Sequence, residues 1–291
     1  MAKYLDVFTD FGFKKIFGEE ANKAILIDFF NALLPVRNHV KDLTFKNSER
    51  LGTTSEERKA IYDIYCENEN GEKFIVELQK VKQNYFKDRT IYYSTFPLSE
   101  QAVKGGDWDY NLKAVFCIGL LDFRFNDYND EQEKKRVAHT ITLKDQDGRN
   151  FYDKLTYIYL EMPNFNKAET ELETRLDKWL YFIKNLEDFQ SIPEIFKGEA
   201  VFIEAFEKAE LAKMNEEERI VYNFNLKTYR DSYSMLKTAK EEGLTQGIGV
   251  GVELKTWKVV KNMLEMGMAV ADIAKATDVE ESKITEYKKS L

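Results

Sequence analysis

IYDIYCENENGEKFIVELQK, residues 61–80, decides the reading of this chain. Two strand-like runs flank a polar turn around Asn68 to Gly71. A three-residue loop, Glu69-Asn70-Gly71, puts Gly71 at the left-handed position such loops favour. Residues equidistant from that loop face each other, so Asp63 stands opposite Glu77. One face then carries Tyr62, Ile64, Cys66, Phe74, Val76 and Leu78. The other carries Ile61, Asp63, Tyr65, Ile75, Glu77 and Gln79. A two-residue loop would oppose Asp63 to Leu78 and split the acids between faces, spoiling the apolar side.

Two carboxylates directly opposite on paired strands repel, so the arrangement needs a reason. A solvated face is one, but Ile61, Tyr65 and Ile75 share that face. Neutralisation by Lys or Arg from elsewhere in the chain is a second. The third is a divalent cation held by hard oxygen ligands, the Asp63 and Glu77 carboxylates and the Leu78 carbonyl, with waters completing its shell. Such an ion activates a water and stabilises charge on a phosphate.

Around the hairpin the pattern is mixed. Phe13, Ile16 and Phe17, then Ile25, Leu26, Phe29, Phe30, Leu33 and Leu34, recur at helical spacing until Pro35. A short strand is expected over Val40 to Phe45, then a polar loop over Asn47 to Glu57. A helix is predicted from Val81 to Lys104 with a bend at Pro97, and a buried strand within NLKAVFCIGLLDF. Further strands fit Ala138 to Leu143 and Leu155 to Leu160. From Glu169 the pattern is helical. Asn215 and Glu218 form a capping box for a helix reaching about Lys240. Gly243, Gly247, Gly249 and Gly251 mark an expected joint before three short amphipathic helices, about 252–265, 270–276 and 280–289.

Composition excludes much. Two cysteines, Cys66 and Cys117, are too few for a disulfide framework and too isolated for a zinc site. His39 and His139 are the only histidines, so chemistry must rest mainly on carboxylates. The formal net charge of −8 speaks against a generic nucleic-acid coat, though a bound cation inverts the field locally. The start of the chain has no signal-like apolar region. The longest apolar stretch, about Ala114 to Leu121, is far short of the roughly 20 residues of a membrane helix. A soluble, cytoplasmic protein without membrane association is expected.

The hairpin resembles the active site of PD-(D/E)XK nucleases. More narrowly, the chain is similar to the bacterial recombination-promoting nucleases and their transposase-like relatives. TDFGFKKIFG near the start, the Asp63 strand, then Glu77-Leu78-Gln79 carry that resemblance. The helix with Phe86, Arg89 and Tyr92, the strand after Lys113, and EEERIVYNFNLKTYRDSYSMLKTAKEEG follow in the same order. The resemblance implies Mg²⁺-dependent hydrolysis of DNA, with Mn²⁺ as a substitute. Asp63 and Glu77 would be ligands, and Gln79 fits the glutamine this family typically carries where restriction-enzyme relatives carry a lysine, an amide without the lysine's charge. Asp10 would complete the site or cap the first helix. Lys80, Lys82, Lys87 and Arg89 would face substrate phosphates or simply line a solvated helix face.

The expected fold is an α/β restriction-endonuclease-like core, a mixed central sheet flanked by helices, with a helical C-terminal extension. Boundaries are expected at 1–190 for the core, 191–242 for the extension, and 243–291 for the hinge and small module. GIGVG at 247–251 lacks the preceding strand of a dinucleotide fingerprint, and a hinge is the better reading. The final segment has a helix-turn-helix look but balanced charge, which suits packing or self-association as well as DNA contact. The leading function is a DNA endonuclease of DNA mobility or recombination. The alternatives are a nuclease-like domain that binds DNA or protein without cleaving, and a nuclease against RNA or foreign DNA in defence. A homo-oligomer is among the states the sequence allows.

Overall fold

Strands form where apolar residues alternate or run unbroken. In the computed structural model, which describes residues 2–50, 60–102, 109–128 and 130–291, they are eight. They are β1 (Leu43–Phe45), β2 (Glu49–Arg50), β3 (Ala60–Ile61), β4 (Ile64–Asn68), β5 (Lys73–Gln79), β6 (Val115–Leu121), β7 (Ala138–Lys144) and β8 (Asn150–Glu161). Six form one mixed sheet in the order β1-β4-β5-β6-β8-β7, and β2 pairs separately with β3. The β5–β6 and β6–β8 pairings are parallel, and the outer pairings are antiparallel. Every residue of β6 is buried, as a central strand covered on both faces requires.

Helices cover both faces. On one side, α1 (Asp10–Phe17), α2 (Lys23–Leu33), α4 (Arg175–Asn185) and α6 (Ala200–Ala209), with the single turn α5 (Glu194–Lys197) before α6, meet Phe74, Val76, Leu78, Phe116, Ile118 and Leu120 in one apolar core. Phe74 stacks between Phe30 and Phe116, with ring centroids 4.8 and 5.0 Å away. On the other side, α3 (Phe86–Ser99) places Phe86 against a second cluster with Tyr65, Ile75, Val115, Cys117, Tyr157 and Tyr159. The two sets alternate along β5 and β6, the period-two rule of a strand. This is the expected PD-(D/E)XK-like architecture, a mixed sheet flanked by helices with a helical C-terminal region.

The described chain divides into two compact units, Met1–Tyr229 and Arg230–Leu291. In the second, Val260, Ile273 and Ile284 are fully buried at the centre of a small core, and Trp257 packs on Tyr287 with centroids 4.9 Å apart. Its α8 (Val270–Thr277) and α9 (Glu281–Ser290) match the two last predicted helices. No helix among the described residues is long and apolar enough to cross a membrane.

Several expectations need correction. The joint at Gly243 to Gly251 lies inside one helix, α7 (Glu216–Glu265), 50 residues long. An interior glycine costs a helix about 1 kcal/mol relative to Ala, which slows propagation without stopping it. The predicted capping box does start α7: Glu218 N–H donates to Asn215 Oδ1 at 2.9 Å, and Asn215 N–H to Glu218 Oε2 at 3.0 Å. The real stop is Gly267, at φ 78°, where Met268 N–H reaches the Met263 carbonyl and Gly267 N–H the Leu264 carbonyl. The first strand is shorter than 40–45, and α3 starts later than Val81, after Tyr85 adopts a left-handed φ of 62°. Most of the predicted polar loop, 51–57, and the predicted helix end at 103–104 lie outside the described residues.

Candidate active site

The hairpin turns as its sequence demands. Gly71 takes φ 78°, and the Asn68 side-chain oxygen accepts the N–H groups of Asn70 and Glu72 at 3.0 and 2.9 Å. The register pairs Ile64 with Val76, Tyr65 with Ile75 and Cys66 with Phe74. One step further, Asp63 is opposite Glu77, but β4 has not begun there and Asp63 sits in a bend. Tyr62 N–H instead donates to the Ser48 carbonyl at 3.0 Å, drawing the chain toward β2. The bend breaks alternation, so Tyr62 does not join Ile64 and Cys66. It packs with Tyr65 and Tyr93 on the opposite face, which corrects the expected apolar set. Ile61 is exposed rather than packed beside the acids.

The same bend laces the two acids to each other's strand. Asp63 Oδ2 accepts the Leu78 N–H at 2.6 Å, and Glu77 accepts the backbone N–H of Asp63. The N–H and carbonyl of one strand residue point the same way, so the Leu78 carbonyl lies on that edge of β5 too. Burial pushes the Asp63 carboxyl up, opposed by the Leu78 hydrogen bond and the Lys14 charge. Burial, then the charge of Asp63, pushes Glu77 well above the usual carboxylate range, opposed by Arg89 and Lys14. Glu77 Oε1 is buried and has no hydrogen-bond partner among the described residues. Gly119 faces Glu77 across the β5–β6 register, where a Cβ would come within 2.9 Å of the Tyr159 ring.

Hard oxygen donors around an unsatisfied buried carboxylate oxygen fit a small divalent cation. Among the described residues no group of three or more His, Cys, Asp or Glu is placed to hold a metal. An ion here would therefore rely on two carboxylates, a carbonyl and waters, the habit of Mg²⁺ rather than of zinc.

α1 brings charge to the edge of the site. Its N-cap is Thr9, whose hydroxyl accepts the Gly12 N–H at 3.0 Å, so Asp10 is not the cap. The Asp10 carboxylate pairs with Lys14 at 2.9 Å, and both act electrostatically on Asp63. Gly12 explains part of the TDFGFKK pattern: a Cβ there would lie 2.2 Å from the Asp6 carbonyl oxygen. Lys80 is half-buried; burial pushes its ammonium down, against the pull of Asp10, Asp6 and Asp63. Its Nζ lies 5.4 Å from the centre of the Tyr229 ring, whose hydroxyl donates to Asp122 at 2.9 Å. Lys82 is exposed and lines a groove with Asp127, with which Lys87 pairs at 2.5 Å, so neither lysine is brought to the carboxylates.

On α3 the arrangement is tighter. Gln79, only 8% exposed, donates to the Val81 carbonyl at 2.8 Å and accepts from Arg89. Arg89 also donates to Gln83 Oε1 at 2.6 Å, while its buried Nε has no partner among the described residues. Sequence reasoning missed Lys14 and Tyr93, each one helical turn after a residue it had singled out. Tyr93 takes the Ile61 N–H on its hydroxyl, and its carbonyl takes the Tyr62 hydroxyl at 3.0 Å. That carbonyl is free because Pro97, four residues on, has no N–H to give it. Pro97, predicted to bend the helix, lies inside α3 and frees the carbonyl that clasps α3 to the Asp63 segment.

Neither a curated protein nor a solved structure matches the chain. The sequence profile of the PD-(D/E)XK nuclease family transposases matches residues 7–239, a span that contains the hairpin, α1, α3 and the whole sheet. The chain therefore belongs to the PD-(D/E)XK nuclease family transposases, a membership that supports a nuclease-type function on nucleic acid.

Proposed function

We propose that the chain is a Mg²⁺-dependent DNA endonuclease, acting in DNA mobility or recombination, with Mn²⁺ able to replace Mg²⁺. The observation that carries this reading is the Glu77 oxygen beside Asp63, buried and unpaired among the described residues. Leaving such a group unsatisfied costs folding free energy, and the sheet retains it on the face where a ligand can relieve it. Asp63, Glu77 and the Leu78 carbonyl would hold the ion, with Asp10 completing the site from α1. Bound there, Mg²⁺ would supply an activated water and screen the charge that builds on the phosphodiester. Lys80 would bind a flanking phosphate, while Lys82 would contact DNA only further along the duplex. The net charge of −8 makes this local cluster of Lys14, Lys80 and Arg89 the feature that admits a polyanion. We retain 1–190 as the cleaving core and 243–291 as an accessory module.

The test is incubation of the protein with plasmid DNA and with RNA under Mg²⁺, Mn²⁺ or EDTA. Metal-dependent nicking or linearisation, absent in EDTA and in Asp63→Ala, is the expected result. Cleavage of RNA alone transfers the reading to an RNA nuclease. Retention of DNA without cleavage in either metal identifies a binding domain and ends the endonuclease assignment.

A further inference from the structure

Two residues after Glu77, where restriction-enzyme relatives carry a lysine, stands Gln79, and an amide brings no charge to a developing phosphorane. The space beyond that amide is not neutral. Arg89 reaches across from α3 and donates to Gln79 Oε1. A lysine at 79 would carry its ammonium one bond beyond the position of that oxygen. The guanidinium therefore occupies the region such an ammonium would reach. It is also held rigidly. Gln83 takes a second nitrogen at 2.6 Å, the Phe86 and Tyr93 rings lie 5.5 and 5.7 Å from its carbon, and Gln79 is itself pinned to the Val81 carbonyl. Three N–H groups remain: the second hydrogen on each terminal nitrogen, and the buried Nε, which has no partner among the described residues. Arg89 lies close enough for its charge to act on Glu77.

We propose that Gln79 and Arg89 together replace one lysine, Gln79 as the amide that positions the guanidinium and Arg89 as the cation that contacts the scissile phosphodiester. This deepens the nuclease reading and rests on it. A planar guanidinium suits the task because two of its donors can engage a phosphate while others stay anchored. Lys80 is the competing cation. It is drawn to Asp10, Asp6 and Asp63, and its Nζ lies 5.4 Å from the centre of the Tyr229 ring, whereas the cations that act on Glu77 are Arg89 and Lys14.

The experiment is a charge relocation. Plasmid cleavage is measured in Mg²⁺ for wild type, Arg89→Gln, Gln79→Lys and the double variant, with folding checked by circular dichroism. Arg89→Gln should lower kcat on the order of 100-fold, the scale of one lost charge-stabilising donor, with a much smaller change in KM. Gln79→Lys in the Arg89→Gln background should recover most of that loss. A guanidinium that merely docks α3 would not be rescued by a lysine on β5. Unchanged kcat in Arg89→Gln, or a folded double variant no better than Arg89→Gln, overturns the proposal. A second readout does not need cleavage: DNA affinity in EDTA against salt concentration. There Arg89→Gln should reduce the slope of log K against log salt by about one. If wild type binds DNA but never cleaves it, the nuclease reading has failed by itself. The slope then decides alone, and an unchanged slope removes Arg89 from the phosphate.

Discussion

The two faces of β5 differ in kind. Phe74, Val76 and Leu78 point into a core built by four helices, where each ring or branched chain is enclosed by others. Ile75, Glu77 and Gln79 point toward α3, where a buried acid keeps an unpaired oxygen and an arginine is anchored by an amide. The first face stores stability and the second gives some of it up. A site of the second kind is tolerable because the alternate residues of the same strand are enclosed in an apolar core.

The largest effect expected from breaking this contrast is on the first face. Phe74→Ala removes a ring stacked on both sides and should cost about 3–5 kcal/mol, read as a lower midpoint in urea unfolding. A loss below about 1 kcal/mol would mean that the apolar face does not carry the sheet.

The second effect has the opposite sign. Asp63→Asn keeps an oxygen for the Leu78 N–H and removes one of two repelling charges. It should raise Tm in EDTA, worth roughly 1 kcal/mol, and weaken or abolish the stabilisation that millimolar Mg²⁺ or Mn²⁺ gives wild type. Were the acids simply neutralised by lysine or arginine, Asp63→Asn would lower Tm and metal would change neither protein.

The smallest effect is a slope. Glu77 holds its proton more tightly folded than unfolded, because burial and Asp63 disfavour its charge. Its contribution is therefore most favourable below the ordinary carboxylate pKa of about 4.3 and is lost as pH rises toward the higher folded value. Metal-free stability should fall across that window, and Glu77→Gln should flatten the fall. An unaltered pH profile in Glu77→Gln would place the titration elsewhere.

Much of this was legible in twenty residues. Gly71 and the alternation of Phe74, Val76 and Leu78 leave one register, and the sheet adopts it. The bend at Asp63 was not legible, because Tyr62 and Ile61 continue a strand pattern and only the competing pull of Ser48 breaks it. For Asp10 the sequence allows a site acid or a helix cap; Thr9 takes the cap, because both residue types cap helices and a one-residue difference decides. The Arg89–Gln79 contact joins a helix to a strand across a turn whose left-handed Tyr85 gives no sequence signal. Glycine density was overread at 243–251, since glycine weakens a helix without forbidding it.

That weakening has a kinetic side. Residues 233–255 of α7 are exposed throughout, and four glycines fall within the run. Neighbouring side chains give this stretch little to resist fraying, whereas Tyr222 and Val260 nearer its ends are buried. Backbone amides in the middle of α7 should therefore trade their protons for deuterium far sooner than those flanking Tyr222 or Val260. An unbroken helix in space would then behave, on the timescale of exchange, as two protected segments joined by a labile one.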